Sequence, residues 1–175
     1  MNNSVKELLD LLSQKDVVKF GKFILSSGKE SNYYVNIKMA ITDPKILKKI
    51  AEIVSSQIIK EKIDKVAGPA LGAVPIATAI SLELEIPLLI IRKTKKGYGT
   101  SKLIEGTLEE GDSVIVVEDV TTTGNSLLKA IKVIEENGGI VKKAVVIVDR
   151  DEGAIENLKD EGILLEPIIS INDFK

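Results

Sequence analysis

The sequence contains no cysteine, no histidine and no tryptophan among its 175 residues. Without cysteine there is no disulfide and no thiolate nucleophile. Without histidine there is no Ser-His or Cys-His dyad, and the usual Cys/His zinc sites are excluded as well. Any catalytic chemistry must therefore use carboxylates, lysines, arginines, hydroxyls, backbone amides or a hard metal ion.

The sequence also has little net charge and no long apolar run. A net charge of −2 at pH 7 and a pI of 5.4 give no reason to expect a nucleic-acid partner. No uninterrupted apolar segment approaches the roughly eighteen residues of a membrane span. The N-terminal stretch MNNSVKELLDLLSQKD is amphipathic and contains acids, unlike a signal peptide. We therefore expect a cytoplasmic protein with no membrane partner.

The first part of the chain predicts a small hood, residues 1–42. Apolar residues at helical spacing in 4–12 predict a short helix. Strand-like patterns at 17–25 and 33–41 flank the turn-forming stretch SSGKESN, which predicts a β-hairpin. Asp43-Pro44 then predicts the start of the next helix, with Asp as cap and Pro at the first helical position.

The remainder, residues 43–175, alternates short apolar strands with helices. Strands are predicted at 63–67, 87–91, 113–117, 143–148 and 163–169, and helices at about 73–84, 125–137 and 153–160. Strands that are apolar throughout indicate a parallel sheet covered on both faces. We therefore predict an α/β fold, a doubly wound, mostly parallel sheet with a helix and hairpin hood, in one domain, 1–175. Residues 93–106 fit no element, and a loop of this length is more often functional than accidental.

The stretch VIVVEDVTTTGNS, residues 114–126, carries the strongest chemical signal. Ligands of such sheets sit beyond the carboxyl ends of the strands, where Glu118 and Asp119 are predicted to emerge. A glycine and hydroxyls at a helix start suit a phosphate, whereas the two acids suit neutral hydroxyls or a divalent cation. A ribose 5-phosphate satisfies both halves. The competing interpretation is a pair of solvent-facing acids followed by an ordinary helix cap.

This stretch resembles the 5-phosphoribosyl 1-pyrophosphate (PRPP) signature of type I phosphoribosyltransferases. The resemblance implies that Glu118 and Asp119 hold the ribose hydroxyls and that the following loop wraps the 5-phosphate. The residues of the signature predicted to bind PRPP are Glu118, Asp119, Val120, Thr121, Thr122, Thr123, Gly124, Asn125 and Ser126.

Three further stretches resemble the orotate phosphoribosyltransferase family: FGKFILSSGKESNYY (20–34), IIRKTKKGYGTSKLIEG (90–106) and IVDR (147–150). The resemblance implies transfer of ribose 5-phosphate from PRPP to orotate in pyrimidine (UMP) biosynthesis, giving orotidine 5'-monophosphate and pyrophosphate. An arginine can bind the orotate carboxylate through two hydrogen bonds. The residues implied to contact orotate are Tyr34, Val35, Thr122 and Arg150.

The loop of residues 93–106 is implied to close over the reaction from a neighbouring subunit of a homodimer. Lysines and an arginine, together with Mg²⁺, would stabilise the charge that develops on the leaving pyrophosphate. The cations available are Arg92, Lys93, Lys95 and Lys96. Arg92, Lys93 and Lys96 are predicted to be catalytic together with Asp119, and Arg92, Lys93, Lys96 and Tyr98 to reach PRPP across the dimer. A solvated basic loop without a task is the alternative.

The sequence departs from the family at several positions. Tyr98 stands where many bacterial members have histidine, which argues against a proton shuttle there near neutral pH. The tight loop GPALGAVPIA, residues 68–77, is kept, with Leu71 and Gly72 predicted to contact PRPP. However, a lysine of some members is replaced by Gly72, and another by Ser26. Pyrophosphate is therefore predicted to be held by backbone amides of residues 70–73, by Mg²⁺ and by the mobile loop.

Mg²⁺ is expected to bind mainly through PRPP, with Glu118 and Asp119 as candidate ligands. Three other functions compete with this interpretation. A purine phosphoribosyltransferase would share residues 114–126 but would need apolar or aromatic groups for its base, and this chain has only three Phe and three Tyr. A regulator binding DNA or RNA would need a basic face or an added helix-turn-helix. An inert structural domain would leave the acid pair and the lysines unexplained.

Overall fold

The computed structural model describes residues 2–24, 30–94 and 103–175. Ser26, Lys95, Lys96 and Tyr98, for which roles are predicted above, lie outside the described residues, as does most of the loop 93–106. The roles predicted for these four positions stay predictions.

The described chain forms helices and strands in regular alternation after the hood. The helices are α1 (Asn3–Gln14), α2 (Ile37–Ala40), α3 (Pro44–Ile58), α4 (Ala73–Leu84), α5 (Asn125–Glu135) and α6 (Ala154–Asp160), and a 3-10 turn (Ile171–Phe174) ends the chain. The strands are β1 (Val18–Ile24), β2 (Glu30–Val35), β3 (Lys65–Pro69), β4 (Leu88–Ile91), β5 (Ile104–Glu105), β6 (Ser113–Thr121), β7 (Ile140–Asp149) and β8 (Leu164–Ser170).

Two sheets result. β1 and β2 form the antiparallel hairpin of the hood. The other sheet has the order β5-β4-β3-β6-β7-β8, and it is parallel except for β5, which runs antiparallel to β4. This arrangement confirms the predicted α/β fold with a mostly parallel sheet.

Helices cover both faces of the large sheet because its central strands are apolar on both sides. The side chains of Ile115 and Val117 in β6 belong to a core shared with α1, α2, α3 and α4. Val114 and Val116, which alternate with them, belong to a second core shared with α5 and α6. Along residues 114–117 of β6, successive side chains therefore alternate between the two cores.

The hood contains the predicted helix, α1, and the predicted hairpin, β1 and β2, but it differs from the prediction after β2. Residues 37–41 were expected to continue the second strand, but α2 occupies Ile37–Ala40. Ile37, Ala40 and Ile41 are buried, and their spacing of three and four residues buries one side of a helix. The strand β2 also starts earlier than predicted, so Glu30–Asn32 are extended and not part of the turn.

One further strand and one strand boundary were predicted incorrectly. The short strand β5 lies in the segment 93–106 that was predicted to contain no element, and Ile104 pairs with Ile91. The strand β6 continues beyond the predicted residue 117 to Thr121, because β7 pairs with it as far as Asp149. The acid pair therefore belongs to the strand itself.

The amino-terminal edge of the sheet carries paired charges. Lys143, at 9% exposure, places its Nζ 2.8 Å from Glu61 Oε1 and 2.7 Å from Glu166 Oε2. Lys65 Nζ lies 3.6 Å from Asp112 Oδ2 at the same edge. Within the described ranges, no helix is long and apolar enough to cross a membrane.

Candidate active site

A cavity of about 820 Å³ opens at the carboxyl ends of β3, β4 and β6. This is the edge at which ligands of such sheets bind. The predicted site residues in its wall are Leu71, Gly72, Arg92, Lys93, Glu118, Asp119, Val120, Thr121, Thr122, Thr123, Gly124, Asn125 and Ser126. The structure thus brings together three chain segments that are far apart in sequence.

The acid pair lies in the floor of this cavity. Glu118 and Asp119 are 8% and 5% exposed. Burial, followed by the hydrogen bond and the charge of Asp119, raises the pKa of Glu118 to about 9. Glu118 Oε1 accepts a hydrogen bond from the backbone N–H of Asp119 at 3.2 Å. Asp119 Oδ2 is buried without a hydrogen-bond partner among the described residues. Burying a carboxylate oxygen without a hydrogen bond lowers the stability of the fold, unless a ligand donates a hydrogen bond to that oxygen.

One wall is the loop of residues 121–126, which leads from β6 into α5. Gly124 has φ +80°, and a Cβ at this position would overlap the side chain of Leu158. Asn157 Nδ2 donates to the Thr123 carbonyl at 2.8 Å and fixes the loop from outside. The first N–H groups of α5 have no partner within the helix, so this wall suits a phosphate.

The opposite wall is the loop after β3, which contains a cis peptide bond between Ala70 and Leu71. A Cβ on Gly72 would overlap the carboxylate of Asp119. The loop backbone therefore approaches the acid pair closely only because residue 72 is glycine. One prediction about this loop is wrong: the N–H of Ala70 donates to the Ile91 carbonyl at 2.8 Å and is not available to a ligand.

Cations surround the acids on the remaining sides. Arg92 Nη1 lies 3.4 Å from Glu105 Oε1, which holds the guanidinium at the end of β4. The charge of Lys93 opposes the rise in the pKa of Glu118, so this lysine is close to the pair. Lys38 and Lys129 also line the cavity and were missed in the sequence. Neither belongs to the recognised stretches that pointed to the other site residues.

Arg150 lies beside the cavity, at the end of β7, and its N–H donates to the Thr121 carbonyl at 3.0 Å. Its guanidinium is 9% exposed and lies 4.7 Å from the centroid of the Tyr33 ring. Nε and Nη2 both lie 3.0 Å from Glu152 Oε1, and Nη2 lies 3.4 Å from Ser31 Oγ. The ion-pair partner of Arg150 is thus Glu152, two residues further along the chain.

Tyr33 connects the hood to this arginine. Its hydroxyl lies 3.1 Å from the Arg150 carbonyl and 3.0 Å from Glu152 Oε1. Burial is the main cause of the raised pKa of Tyr33. The sequence pointed instead to Tyr34 and Val35. By strand alternation, Val35 shares the face of Tyr33. Tyr34 is 44% exposed on the other face, and its ring is tilted by 34° against that of Phe23, with the centroids 5.8 Å apart.

Of the four predicted orotate contacts, all in the described part of the chain, only Thr122 lines the cavity; Tyr34, Val35 and Arg150 lie outside its wall. The period-two pattern of β2 puts Tyr33 and Tyr34 on opposite faces, but it does not show which of the two meets the core. The contact of Tyr33 with Glu152 depends on how the hood packs on the core, and no local pattern encodes it.

Two walls that suit anions flank a buried acid pair that suits hydroxyl groups, and this arrangement fits a sugar that carries phosphate groups at both ends. The phosphoribosyl transferase domain matches residues 39–174. The chain belongs to the phosphoribosyl transferase family and, within it, to the orotate phosphoribosyltransferases.

Named relatives support this membership over nearly the whole chain. The chain is 63% identical to orotate phosphoribosyltransferase of Methanothermobacter thermautotrophicus, over 97% of this chain and 93% of the relative. The crystal structure of the Aeropyrum pernix orotate phosphoribosyltransferase has a TM-score of 0.85 and 34% identity, with 95% of each chain covered. The Mycobacterium tuberculosis orotate phosphoribosyltransferase in complex with PRPP has a TM-score of 0.80 and 32% identity, with 98% of each chain covered.

Proposed function

We propose that this protein transfers the 5-phosphoribosyl group of PRPP to orotate, which yields orotidine 5'-monophosphate and pyrophosphate for pyrimidine nucleotide synthesis. The observation that carries the proposal is the position of Asp119. Its Oδ2, buried and without a partner among the described residues, lies between two walls that each suit an anion. A ribose with a 5-phosphate and a 1-pyrophosphate would present its hydroxyl groups at this point.

Different residues around the cavity would bind different parts of the substrate. N–H groups and hydroxyls of residues 121–126 would bind the 5-phosphate. Asp119 and Glu118 would accept hydrogen bonds from the ribose hydroxyls, and the backbone of Leu71 and Gly72 would face the pyrophosphate. This division places the C1–O bond to pyrophosphate near the acids, on the side of Arg92 and Lys93.

The reaction exchanges one bond at C1 of the ribose for another. Pyrophosphate leaves with the electron pair of the C1–O bond, and N1 of orotate, having lost its proton, forms the new bond to C1. The ribose gains positive charge during this step, which the nearby carboxylate of Asp119 would stabilise. Arg92, Lys93 and the predicted loop residue Lys96 would stabilise the charge on the departing pyrophosphate. Tyr98 is proposed to contribute a further contact from that loop.

The donor set fits Mg²⁺ only in part. No group of three or more acidic side chains that could hold a metal ion occurs in the part of the chain that the structure describes. Glu118 and Asp119 supply oxygen donors, including the unpartnered Oδ2, which suit a hard cation that keeps most of its ligands from substrate and water. When bound with PRPP, Mg²⁺ would neutralise charge on the pyrophosphate.

Arg150 is proposed to select orotate among the bases. Its guanidinium is held at the edge of the sheet by Glu152 and Tyr33, and its backbone N–H donates to the carbonyl of Thr121, the residue before Thr122. A fixed guanidinium binds a carboxylate with good geometry, and orotate carries a carboxylate that adenine, hypoxanthine and uracil lack. Tyr34 and Val35 are proposed to cover the base from the hood.

We further propose that the chain folds as a single domain, acts as a homodimer that exchanges the loop 93–106 between subunits, and works in the cytoplasm. The dimer follows from the family resemblance of this loop.

The test is to incubate the purified protein with PRPP, Mg²⁺ and one base, and to follow the absorbance of the base. Orotate should be consumed in a metal-dependent reaction, while adenine, hypoxanthine and uracil in parallel samples should not. Consumption of a different base would overturn the role of Arg150 but keep the phosphoribosyl site. Binding of PRPP without turnover of any base would contradict the proposed reaction.

A further inference from the structure

We propose that Lys38 binds the pyrophosphate group of PRPP, and so supplies the positive charge that is missing at Gly72. The inference rests on the proposed function, because it assigns a further residue to that site. Lys38 belongs to neither the PRPP signature nor the loop 93–106. It comes from α2, an element that the sequence did not predict.

The first support is the position of Lys38. It lines the same cavity as Gly72, Asp119 and Lys93, although it lies far from them in sequence. Its neighbours Ile37 and Ala40 are 1% and 0% exposed, so α2 is fixed against the core while Lys38 itself is exposed. A lysine on a fixed backbone with its head group in a cavity can reach a bound anion.

The second support is the face of the sheet on which α2 lies. Ile37 and Ala40 pack in the same core as α4 residues Ile76 and Ile80, whereas α5 packs in the other core. The pyrophosphate wall leads into α4, and the 5-phosphate wall leads into α5. The structure therefore places Lys38 on the pyrophosphate side of the acid pair.

The third support is the balance of charge. In the described part of the chain, Lys38 forms no ion pair or side-chain hydrogen bond, whereas Arg92 is already paired with Glu105. A lysine at position 72 would have to displace the Asp119 carboxylate, because a Cβ there already overlaps it. A cation approaching from α2 avoids this collision. Its charge also offsets the repulsion between the acid pair and the entering pyrophosphate.

The experiment compares Lys38→Met and Lys38→Arg with Lys45→Met. Lys45 is an exposed lysine at the start of α3, outside the cavity wall, and is the control for removal of one positive charge. Titration calorimetry would measure the affinity for inorganic pyrophosphate with Mg²⁺, for ribose 5-phosphate, and for PRPP. Lys38→Met should weaken the binding of pyrophosphate and PRPP by about tenfold or more, as expected for a charge-assisted hydrogen bond.

In the same variant, the affinity for ribose 5-phosphate should stay at the wild-type value. Lys38→Arg should restore much of the pyrophosphate affinity, and Lys45→Met should match the wild type. Unchanged pyrophosphate affinity in Lys38→Met would overturn the inference, and so would an equal loss of ribose 5-phosphate affinity. Failure of the wild-type protein to bind PRPP would instead overturn the proposed function.

Discussion

Glu118 and Asp119 are consecutive residues of one strand, so their side chains start toward opposite faces of the sheet. Among residues 114–117 of β6, the odd-numbered ones pack with α4 and the even-numbered ones pack with α5. Asp119 accordingly approaches Gly72, in the loop that precedes α4. The two acids therefore have different neighbours, and substitutions of the two residues should have different effects.

Asp119→Asn should lower kcat/KM for PRPP by about a hundredfold or more, because the amide removes the negative charge that the ribose requires near its reacting carbon. Steady-state kinetics would measure the loss, with far-UV circular dichroism to show that the fold is intact. Asp160→Asn, at the exposed end of α6, is the matched control. Near wild-type kinetics for Asp119→Asn would contradict the assignment of the acid pair.

Glu118→Gln should make the folded protein less sensitive to alkaline pH. The folded protein keeps the Glu118 proton up to a pH of about 9, whereas the unfolded chain releases it near 4.5. The unfolded state therefore binds fewer protons between these values, and the free energy of unfolding falls as the pH rises. The neutral amide removes this contribution.

Urea unfolding at pH 5.5 and 8.5 would measure the effect. The loss of stability between the two pH values should be smaller in Glu118→Gln than in the wild type by about 1 kcal/mol or more, since one pKa unit corresponds to about 1.4 kcal/mol. Glu83→Gln, an exposed residue of α4, should keep the wild-type pH dependence. An identical loss in wild type and Glu118→Gln would show that Glu118 is ionised in the folded protein.

At the scale of elements, the alternating strands and helices, α1 and the hairpin were predictable, whereas α2 and β5 were not. The helix predicted at 73–84 is α4, and Asp43 caps α3 as expected, with its Oδ1 3.0 Å from the N–H of Lys45. These elements are set by local periodicity and capping, which a sequence displays directly. The helix α2 has four residues, too few for a periodicity to be recognised, and the two-residue strand β5 exists only because β4 pairs with it.

The same distinction holds for the site. The wall of residues 118–126 was predictable because its residues are contiguous and follow a buried strand. Lys38, Tyr33 and Glu152 were not, because their positions depend on how the hood and α2 pack against the core. A resemblance to a family transfers only those residues that its motifs contain.

The hood should depend on the hydroxyl of Tyr33 for its attachment to the core. Tyr33→Phe removes the hydroxyl whose one proton is shared between Glu152 Oε1 and the Arg150 carbonyl. The expected cost is about 1 kcal/mol, as for a typical partly buried hydrogen bond. Hydrogen exchange of the β1 and β2 amides should become faster in this variant, since local opening becomes easier.

Tyr34→Phe is the matched control, because it removes the same atom from the adjacent, exposed tyrosine. Exchange rates in its hairpin should stay at the wild-type values. Equal exchange rates in Tyr33→Phe and wild type would contradict the anchoring role of the hydroxyl.

At the scale of the whole molecule, the proposed exchange of loops between subunits makes a prediction about mixtures. Lys96→Ala and Arg150→Ala should each be nearly inactive alone. In a symmetric dimer, random mixing of the two variants produces one intact site in half of the dimers, so activity should return to about one quarter of the wild-type value.

Refolding the two variants together and assaying the mixture would measure this recovery, with each variant refolded alone as the reference. Analytical ultracentrifugation would establish that dimers are present. Activity no higher than the sum of the separate variants, in a sample that is dimeric, would indicate that the loop acts on its own chain.

The amino-terminal and carboxyl-terminal ends of the strands in the large sheet differ in whether their buried charged groups have partners. Lys143 is satisfied by Glu61 and Glu166 at one edge, whereas the other edge buries a carboxylate oxygen that no described residue satisfies. The ion pairs that stabilise the fold and the acid pair proposed to bind substrate thus lie at opposite ends of the same strands. Because the ion pairs of Lys143 lie far from the acid pair along the same strands, substitutions around the base leave those ion pairs intact.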